Sequence, residues 1–226
     1  QQFKPEFADA DAALARSRGS RGRAREATKR VLDLVIAATA LVFLAPLMIA
    51  VALIIKLGDR GPAIFAHTRI GRGGEAFKCY KFRSMVTDAE ARLKKLLAED
   101  PEAAAEWARD QKLRCDPRIT PVGAFLRKTS LDELPQLFNV LKGEMSIVGP
   151  RPIVLGEVAR YGEFFEDYAR VNPGITGLWQ VSGRSDTTYA ERVALDRRYA
   201  QTWTVLGDVM IILKTIPAVL LKKGAC

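Results

Sequence analysis

Polarity is mixed along most of this chain, with one exception: Leu34 to Ile55 runs for 22 residues without a charge. At about 1.5 Å per residue this predicts a helix of roughly 33 Å, enough for a bilayer core of about 30 Å. The run is too long, and too far from the N-terminus, for a typical signal-peptide core. It is also apolar on all sides, unlike the surface helix of a soluble domain. Pro46 sits near its centre, where a proline removes a hydrogen bond and bends a helix. Lys29 and Arg30 precede it and Lys56 and Arg60 follow it. Two basic ends give no sidedness and fit a segment that returns to the face it entered from. The pattern therefore predicts a re-entrant membrane helix over 29–57, broken near Pro46.

Upstream, residues 1–28 read as a basic flexible tail, with Arg16, Arg18, Arg21, Arg23 and Arg25 set among Ser, Gly and Ala. Such a composition buries no core, but it adheres to anionic lipid at about 1 kcal/mol per basic residue near the surface. From Gly58 onward polar and apolar residues interleave. Ala76 to Met85 reads as a strand whose alternation puts Lys81 and Arg83 on one face. Thr87 to Leu97 reads as a helix with a Thr87–Glu90 capping box, and a second helix follows Pro101 to about Leu113. Trp203 to Leu221 is apolar but interrupted by Asp208, Lys214 and Pro217, which suits a core or interfacial helix. The expected fold class is α/β, mixed and mainly helical, with 58–226 as one small domain behind the anchor.

The chain carries 35 Lys and Arg against 26 Asp and Glu, a formal +9. That balance fits an anionic partner: a nucleic acid, an acidic membrane face or a phosphorylated substrate. No helix-turn-helix, ribonucleoprotein or zinc pattern accompanies it, so nucleic acid is not an expected partner. Cys79, Cys115 and Cys226 form no CxxC pair, which argues against disulfide and zinc frameworks and fits a reducing compartment. His67 is the only histidine. A histidine-based triad would rest on it alone, and a structural or surface position is expected instead.

Candidate chemistry lies between Arg127 and Pro152. Asp132 and Glu133 stand side by side in Arg127-Lys-Thr-Ser-Leu-Asp-Glu-Leu-Pro-Gln-Leu-Phe-Asn-Val-Leu141. Pro135 fits only within the first turn of a helix, so a helix start at Leu131 or Asp132 is expected. Acids in a first turn commonly do no more than offset the helix dipole. The same end offers free N–H groups to a phosphate, while adjacent carboxylates suit a metal ion or a nucleophile. Arg151, held between Pro150 and Pro152, presents a fixed fork of donors suited to phosphate oxygens.

Six motifs occur in order: Lys81-Phe-Arg-Ser-Met85, Asp116-Pro-Arg-Ile-Thr120, Ser130-Leu-Asp-Glu-Leu-Pro-Gln-Leu137, Gly143-Glu-Met-Ser-Ile-Val-Gly-Pro-Arg-Pro152, Pro173-Gly-Ile-Thr-Gly-Leu-Trp-Gln180 and Gly183-Arg184. Together, over about Lys29 to Lys222, they resemble the bacterial sugar transferases, the monotopic polyprenyl-phosphate glycosyl-1-phosphate transferases. The likeness is greatest to the short branch that initiates exopolysaccharide synthesis and lacks a large N-terminal transmembrane region. It implies a re-entrant anchor and a cytoplasmic catalytic domain on a bacterial inner membrane, with its lipids as partners. It implies transfer of hexose 1-phosphate from a UDP-sugar, galactose or glucose favoured, to polyprenyl (undecaprenyl) phosphate, releasing UMP. By the same resemblance Asp132 matches the nucleophile that carries an aspartyl-phosphosugar. Glu133 matches the second member of the dyad, and the pair would hold Mg²⁺. Lys81, Arg83, Arg127, Arg151 and Arg184 become the expected phosphate-binding cations. Asp196 and Tyr199 fall in a shared pattern. The glycine-rich stretch around Trp179 reads equally as a loop over the uridine or as a tight turn with a core tryptophan. Relatives often carry Ser ahead of the proline, where this chain has Ala45, leaving one fewer group for a carbonyl freed by the kink.

Other classes stay open on these residues. An ordinary UDP-sugar glycosyltransferase would release UDP, and a non-catalytic basic membrane scaffold would need neither carboxylate. Neither the hexose nor the oligomeric state, a homo-oligomer included, follows from the residues.

Overall fold

A computed structural model describes residues 6–110, 113, 115–183 and 187–220. The apolar run lies inside α1 (Glu6–Asp59), a 54-residue helix that continues through Pro46. Its part from Gly22 to Asp59 is long and apolar enough to cross a membrane. Only 17% of the most apolar window there is buried, whereas the core helix of a soluble protein is mostly covered. Ala37, Leu41, Leu44, Met48, Val51 and Ile55, at alternating steps of four and three, form one stripe packed on the rest of the chain. Val35, Val42, Phe43, Ile49, Leu53 and Leu57 are exposed.

Two expectations meet a different picture here. The break near Pro46 is not seen, because the packed stripe keeps its phase on both sides of the proline and supports the helix across the missing N–H. The tail is helical from Glu6, as an extension of a helix already nucleated downstream.

Polar bonds fasten α1 to the domain near its middle and at its C-terminal end. Near its middle Asp33 is buried and accepts from Ser146 Oγ at 2.8 Å and from the Ile147 N–H at 2.9 Å. Lys29 donates to Asp208 at 2.6 Å and to the Val148 carbonyl at 3.0 Å. Arg30 donates to the carbonyls of Val140 and Leu141. At the far end Asp59 accepts from Arg83. Each of these charged groups thus has at least one hydrogen-bond partner, as its desolvation requires.

The domain begins with an antiparallel hairpin, β1 (Ile64–Ile70) and β2 (Ala76–Phe82), which sets Phe65 opposite Lys81. A helical hairpin follows, α2 (Ala89–Glu99) and α3 (Pro101–Asp110). α2 starts two residues later than its sequence predicts. Asp88 is its N-cap residue, without a side-chain cap bond, and Arg92 takes the Asp88 carboxylate at 3.0 Å. The Thr87–Glu90 box therefore does not form. Next come α4 (Pro121–Thr129), α5 (Gln136–Lys142) and β3 (Ser146–Val148). After α6 (Leu155–Tyr161) and α7 (Phe165–Ala169), β4 (Gly174–Thr176) returns parallel to β3. The last elements are α8 (Leu178–Val181), α9 (Tyr189–Thr202) and α10 (Val205–Leu220). Helices outnumber strands, and the mixed, mainly helical class stands.

β3 and β4 meet through two glycines. A Cβ on Gly174 would lie 2.1 Å from the Gly149 nitrogen, so the Gly149-Pro-Arg and Pro173-Gly motifs are built into each other. The Gly174–Thr176 stretch is a largely buried strand rather than a mobile loop. His67 is exposed on β1, as a surface position requires.

Candidate active site

Three segments converge on the adjacent carboxylates. α4 ends at Thr129, and Ser130 closes it in the left-handed conformation with φ 57°. That leaves room for a single 3-10 turn, Leu131–Glu133, before Pro135 becomes the N-cap residue of α5. The helix therefore starts later than Leu131 or Asp132. Neither turn has a side-chain cap bond, so Asp132 and Glu133 are not spent on capping. The turn instead sets both against β2. Lys81 Nζ donates to Glu133 Oε1 at 2.6 Å and stands 4.0 Å from Asp132 Oδ2.

Asp132 is 8% exposed. Burial, with the charge of Glu133 adding to it, raises its carboxyl to about 6, against the pull of Lys81 and Arg127. This puts the acid in its ionised form at neutral pH while keeping it more basic than a free aspartate. Arg127, on the last turn of α4, donates from Nε to Ser84 Oγ at 2.8 Å. Burial lowers its pKa and the charges of Asp132 and Asp116 oppose that, so the three groups act on one another. Ser84 is fixed from behind: its carbonyl accepts from the Thr120 N–H at 3.1 Å, and a Cβ on Gly123 would lie 1.9 Å from the same oxygen. The Asp116-Pro-Arg motif adds a buried fork in which Arg118 meets both carboxylate oxygens of Asp116 at 2.8 and 2.6 Å. Burial, which alone would raise Asp116, is outweighed by these bonds, and its pKa is lowered.

Arg83 diverges from Lys81. β2 ends at Phe82, so the alternation that would align them stops one residue short, and Arg83 turns to Asp59. Its Nε and Nη1 are buried without a partner. Arg184 lies outside the described residues.

Arg151 belongs to a second cluster, at α8 and α9. The Arg192 guanidinium lies 4.4 Å over the Trp179 ring and that of Arg151 lies 6.0 Å from it. Beneath them Asp196, 0% exposed, accepts from the Tyr161 hydroxyl at 2.8 Å. Burial pushes Asp196 up to about 7, against hydrogen bonds from Tyr161 and the Arg151 backbone. Trp179 Nε1, Tyr189 Oη and Arg192 Nε are buried without a partner. Such atoms gathered around Trp179 mark a site prepared for a polar ligand. Tyr199 has a different role: its hydroxyl bridges Asp208 at 2.8 Å and the Val148 carbonyl at 2.9 Å.

Sequence reasoning missed Ser84, Asp33, Asp59, Arg192 and the Lys29–Asp208 pair. Asp33 carried a readable signal, an acid immediately before a run of 22 uncharged residues. The others depend on tertiary contacts.

Among the described residues no group of three or more His, Cys, Asp and Glu side chains is gathered as a metal site. Asp132 and Glu133 supply two carboxylates. That fits Mg²⁺, which is commonly bound by one or two carboxylates together with waters and substrate phosphates.

A carboxylate pair on a turn, flanked by fixed cations and backed by a half-exposed apolar helix, defines a membrane-associated site for phosphoryl chemistry. The chain belongs to the bacterial sugar transferase family, whose description matches residues 24–222. It is 54% identical over 197 residues to the undecaprenyl-phosphate galactose phosphotransferase of Salmonella typhimurium, covering 87% of this chain and 41% of that protein. With the exopolysaccharide production protein ExoY of Sinorhizobium fredii it shares 50% over 198 residues, 88% of either chain. The UDP-glucose:undecaprenyl-phosphate glucose-1-phosphate transferase of Caulobacter vibrioides is 42% identical over 205 residues, 87% of this chain and 71% of its own. The chain thus spans about two fifths of some curated relatives and nearly nine tenths of others.

Proposed function

We propose that this protein transfers hexose 1-phosphate from a UDP-sugar to polyprenyl phosphate at a membrane surface, as the first step of exopolysaccharide assembly. The observation that carries the reading is the Lys81 ammonium placed across Asp132 and Glu133, with Arg127 behind the same turn. In the first step the Asp132 carboxylate attacks the β-phosphorus of the donor. The bond from that phosphorus to the bridging oxygen breaks, its electron pair leaves with UMP, and an aspartyl-phosphosugar forms. In the second an oxygen of the polyprenyl phosphate attacks the same phosphorus and the carboxylate is released. Lys81 and Arg127 stabilise charge on the phosphoryl oxygens, and Glu133 holds Lys81 in place. Mg²⁺, bound through Asp132 or Glu133, would neutralise the diphosphate. Arg151 and Arg192, both beside Trp179, suit the nucleotide end of the donor, where the unpartnered polar atoms await hydrogen bonds.

The anchor follows from the same reading. Lys29, Arg30 and Asp33 at one end of the membrane segment, and Asp59 at the other, bond to one domain. On this reading both ends lie on one side of the bilayer, and α1 is re-entrant, entering without crossing. The cytoplasmic face of the inner membrane is where a UDP-sugar is available. Protein in nanodiscs with Mg²⁺, polyprenyl phosphate and a panel of UDP-sugars tests the proposal. Release of UMP with one sugar supports it, release of UDP makes the protein an ordinary glycosyltransferase, and no nucleotide leaves a scaffold.

A further inference from the structure

Beside the carboxylate turn is a cavity of about 300 Å³ between the Leu131–Leu137 segment and the β4–α10 wall. That volume is at the small end of ligand sites. Leu131, Leu134, Leu137 and Ile175 supply its apolar lining, with Glu133 at one edge. Its threonines are polar in name but have no proton to offer. Thr129 donates to the Phe125 carbonyl at 2.8 Å. Thr215 donates to the Ile211 carbonyl at 2.8 Å, so the 2.8 Å bond between Thr176 and Thr215 uses the Thr176 proton. Ser130 and Gln180 complete the polar lining, a short supply of donors beside four apolar side chains for a sugar ring, whereas an isoprenoid needs none.

The cavity is also connected to lipid. Thr215 lies on α10, whose exposed side carries Leu206, Met210, Leu213 and Ile216. Such a row suits contact with acyl chains. At the opposite edge stands the Glu133–Lys81 pair, and Lys81 can meet a phosphate. One end is continuous with an apolar helix face and the other with a cation, which is the polarity of a phosphorylated isoprenoid.

We infer that this cavity holds the first isoprene units of the acceptor lipid, presenting its phosphate oxygen to the phosphosugar carried on Asp132 while the rest of the chain runs along α10 into the bilayer. The inference rests on the function proposed above. It makes Thr215 and Ile175 determinants of acceptor binding and leaves the donor step independent of them.

The test separates the two half-reactions in Thr215→Phe and Ile175→Phe, which fill the cavity from two elements of its β4–α10 wall. Thermal unfolding establishes which of them fold. Donor alone should give the same stoichiometric UMP burst as the unaltered protein, whereas the KM for long-chain polyprenyl phosphate should rise at least tenfold. Loss of the burst in a folded variant would assign the cavity to the donor, and an unchanged acceptor KM would leave it without a role, so either overturns the inference. A chain-length series of prenyl phosphates on the unaltered protein needs no variant. Affinity should climb steeply over the first two or three isoprenes, and a flat series overturns the inference. Failure of the underlying function would look different: the unaltered protein would release no UMP.

Discussion

Asp132 and Asp196 are both buried aspartates whose carboxyls are raised well above the ordinary value, to about 6 and about 7. Only one has the surroundings of a nucleophile. Asp132 keeps an exposed edge, stands on a turn and faces Lys81. Asp196 is sealed within α9, bound to Tyr161 and roofed by Arg151 and Arg192. A raised pKa therefore marks burial in both cases, and what distinguishes chemistry from support is access together with a cation placed for the phosphate. Asp196 holds the Arg151 side of the site in position.

Substitution of each acid should divide them most widely. Asp132→Asn should lower UMP release by about a thousandfold or more, as removal of a nucleophile does. Asp196→Asn, which can still accept from Tyr161, should stay within about tenfold. Equal losses would abolish the distinction. Lys81→Met should cost about 10²-fold, on the scale of a lost electrostatic stabiliser. It should also move the acid limb of the rate profile to higher pH, since Lys81 lowers the Asp132 pKa. In the unaltered protein kcat/KM for donor should fall below about pH 6, where Asp132 takes up its proton. Arg192→Ala should raise the donor KM by about fivefold with little change in kcat, matching the cost of about 1 kcal/mol for one partly exposed contact.

The smallest effect concerns stability. A folded pKa above the unfolded one gives Asp132 a stabilising protonation that is complete below about pH 4 and lost as pH rises through about 6. Asn cannot suffer that loss. Asp132→Asn should therefore be more stable than the unaltered protein at pH 8, by no more than about 3 kcal/mol. Denaturant melts at pH 8 and pH 4 check this, and the gap should narrow at the lower pH.

Local pattern makes the apolar helix legible and brings Asp132 and Glu133 forward as candidates, whose role the family resemblance then supplies. An uncharged run of 22 residues has few soluble explanations, and Asp132, Glu133 and Arg127 lie within seven residues of one another. Lys81 is readable as a candidate through its motif, although its partner is not. The start of α5 falls later than its residues suggest because αL closure at Ser130 inserts a 3-10 turn that propensity does not announce. Alternation over β2 fails for Arg83 because the strand stops at Phe82. The Arg151 cluster joins residues some 40 positions apart, and only tertiary packing around Trp179 brings Arg151 and Arg192 together. Continuity of α1 through Pro46 likewise depends on a domain wall that the sequence of the helix does not show.

Intact-protein mass measurement after mixing with Mg²⁺ and a UDP-sugar, without any polyprenyl phosphate, tests the central claim most directly. The account predicts a single hexose-phosphate adduct that maps to Asp132, appears with one equivalent of UMP and is discharged by polyprenyl phosphate. UMP released only when acceptor is present, with no adduct formed on a competent enzyme, would contradict it and make Asp132 something other than the nucleophile.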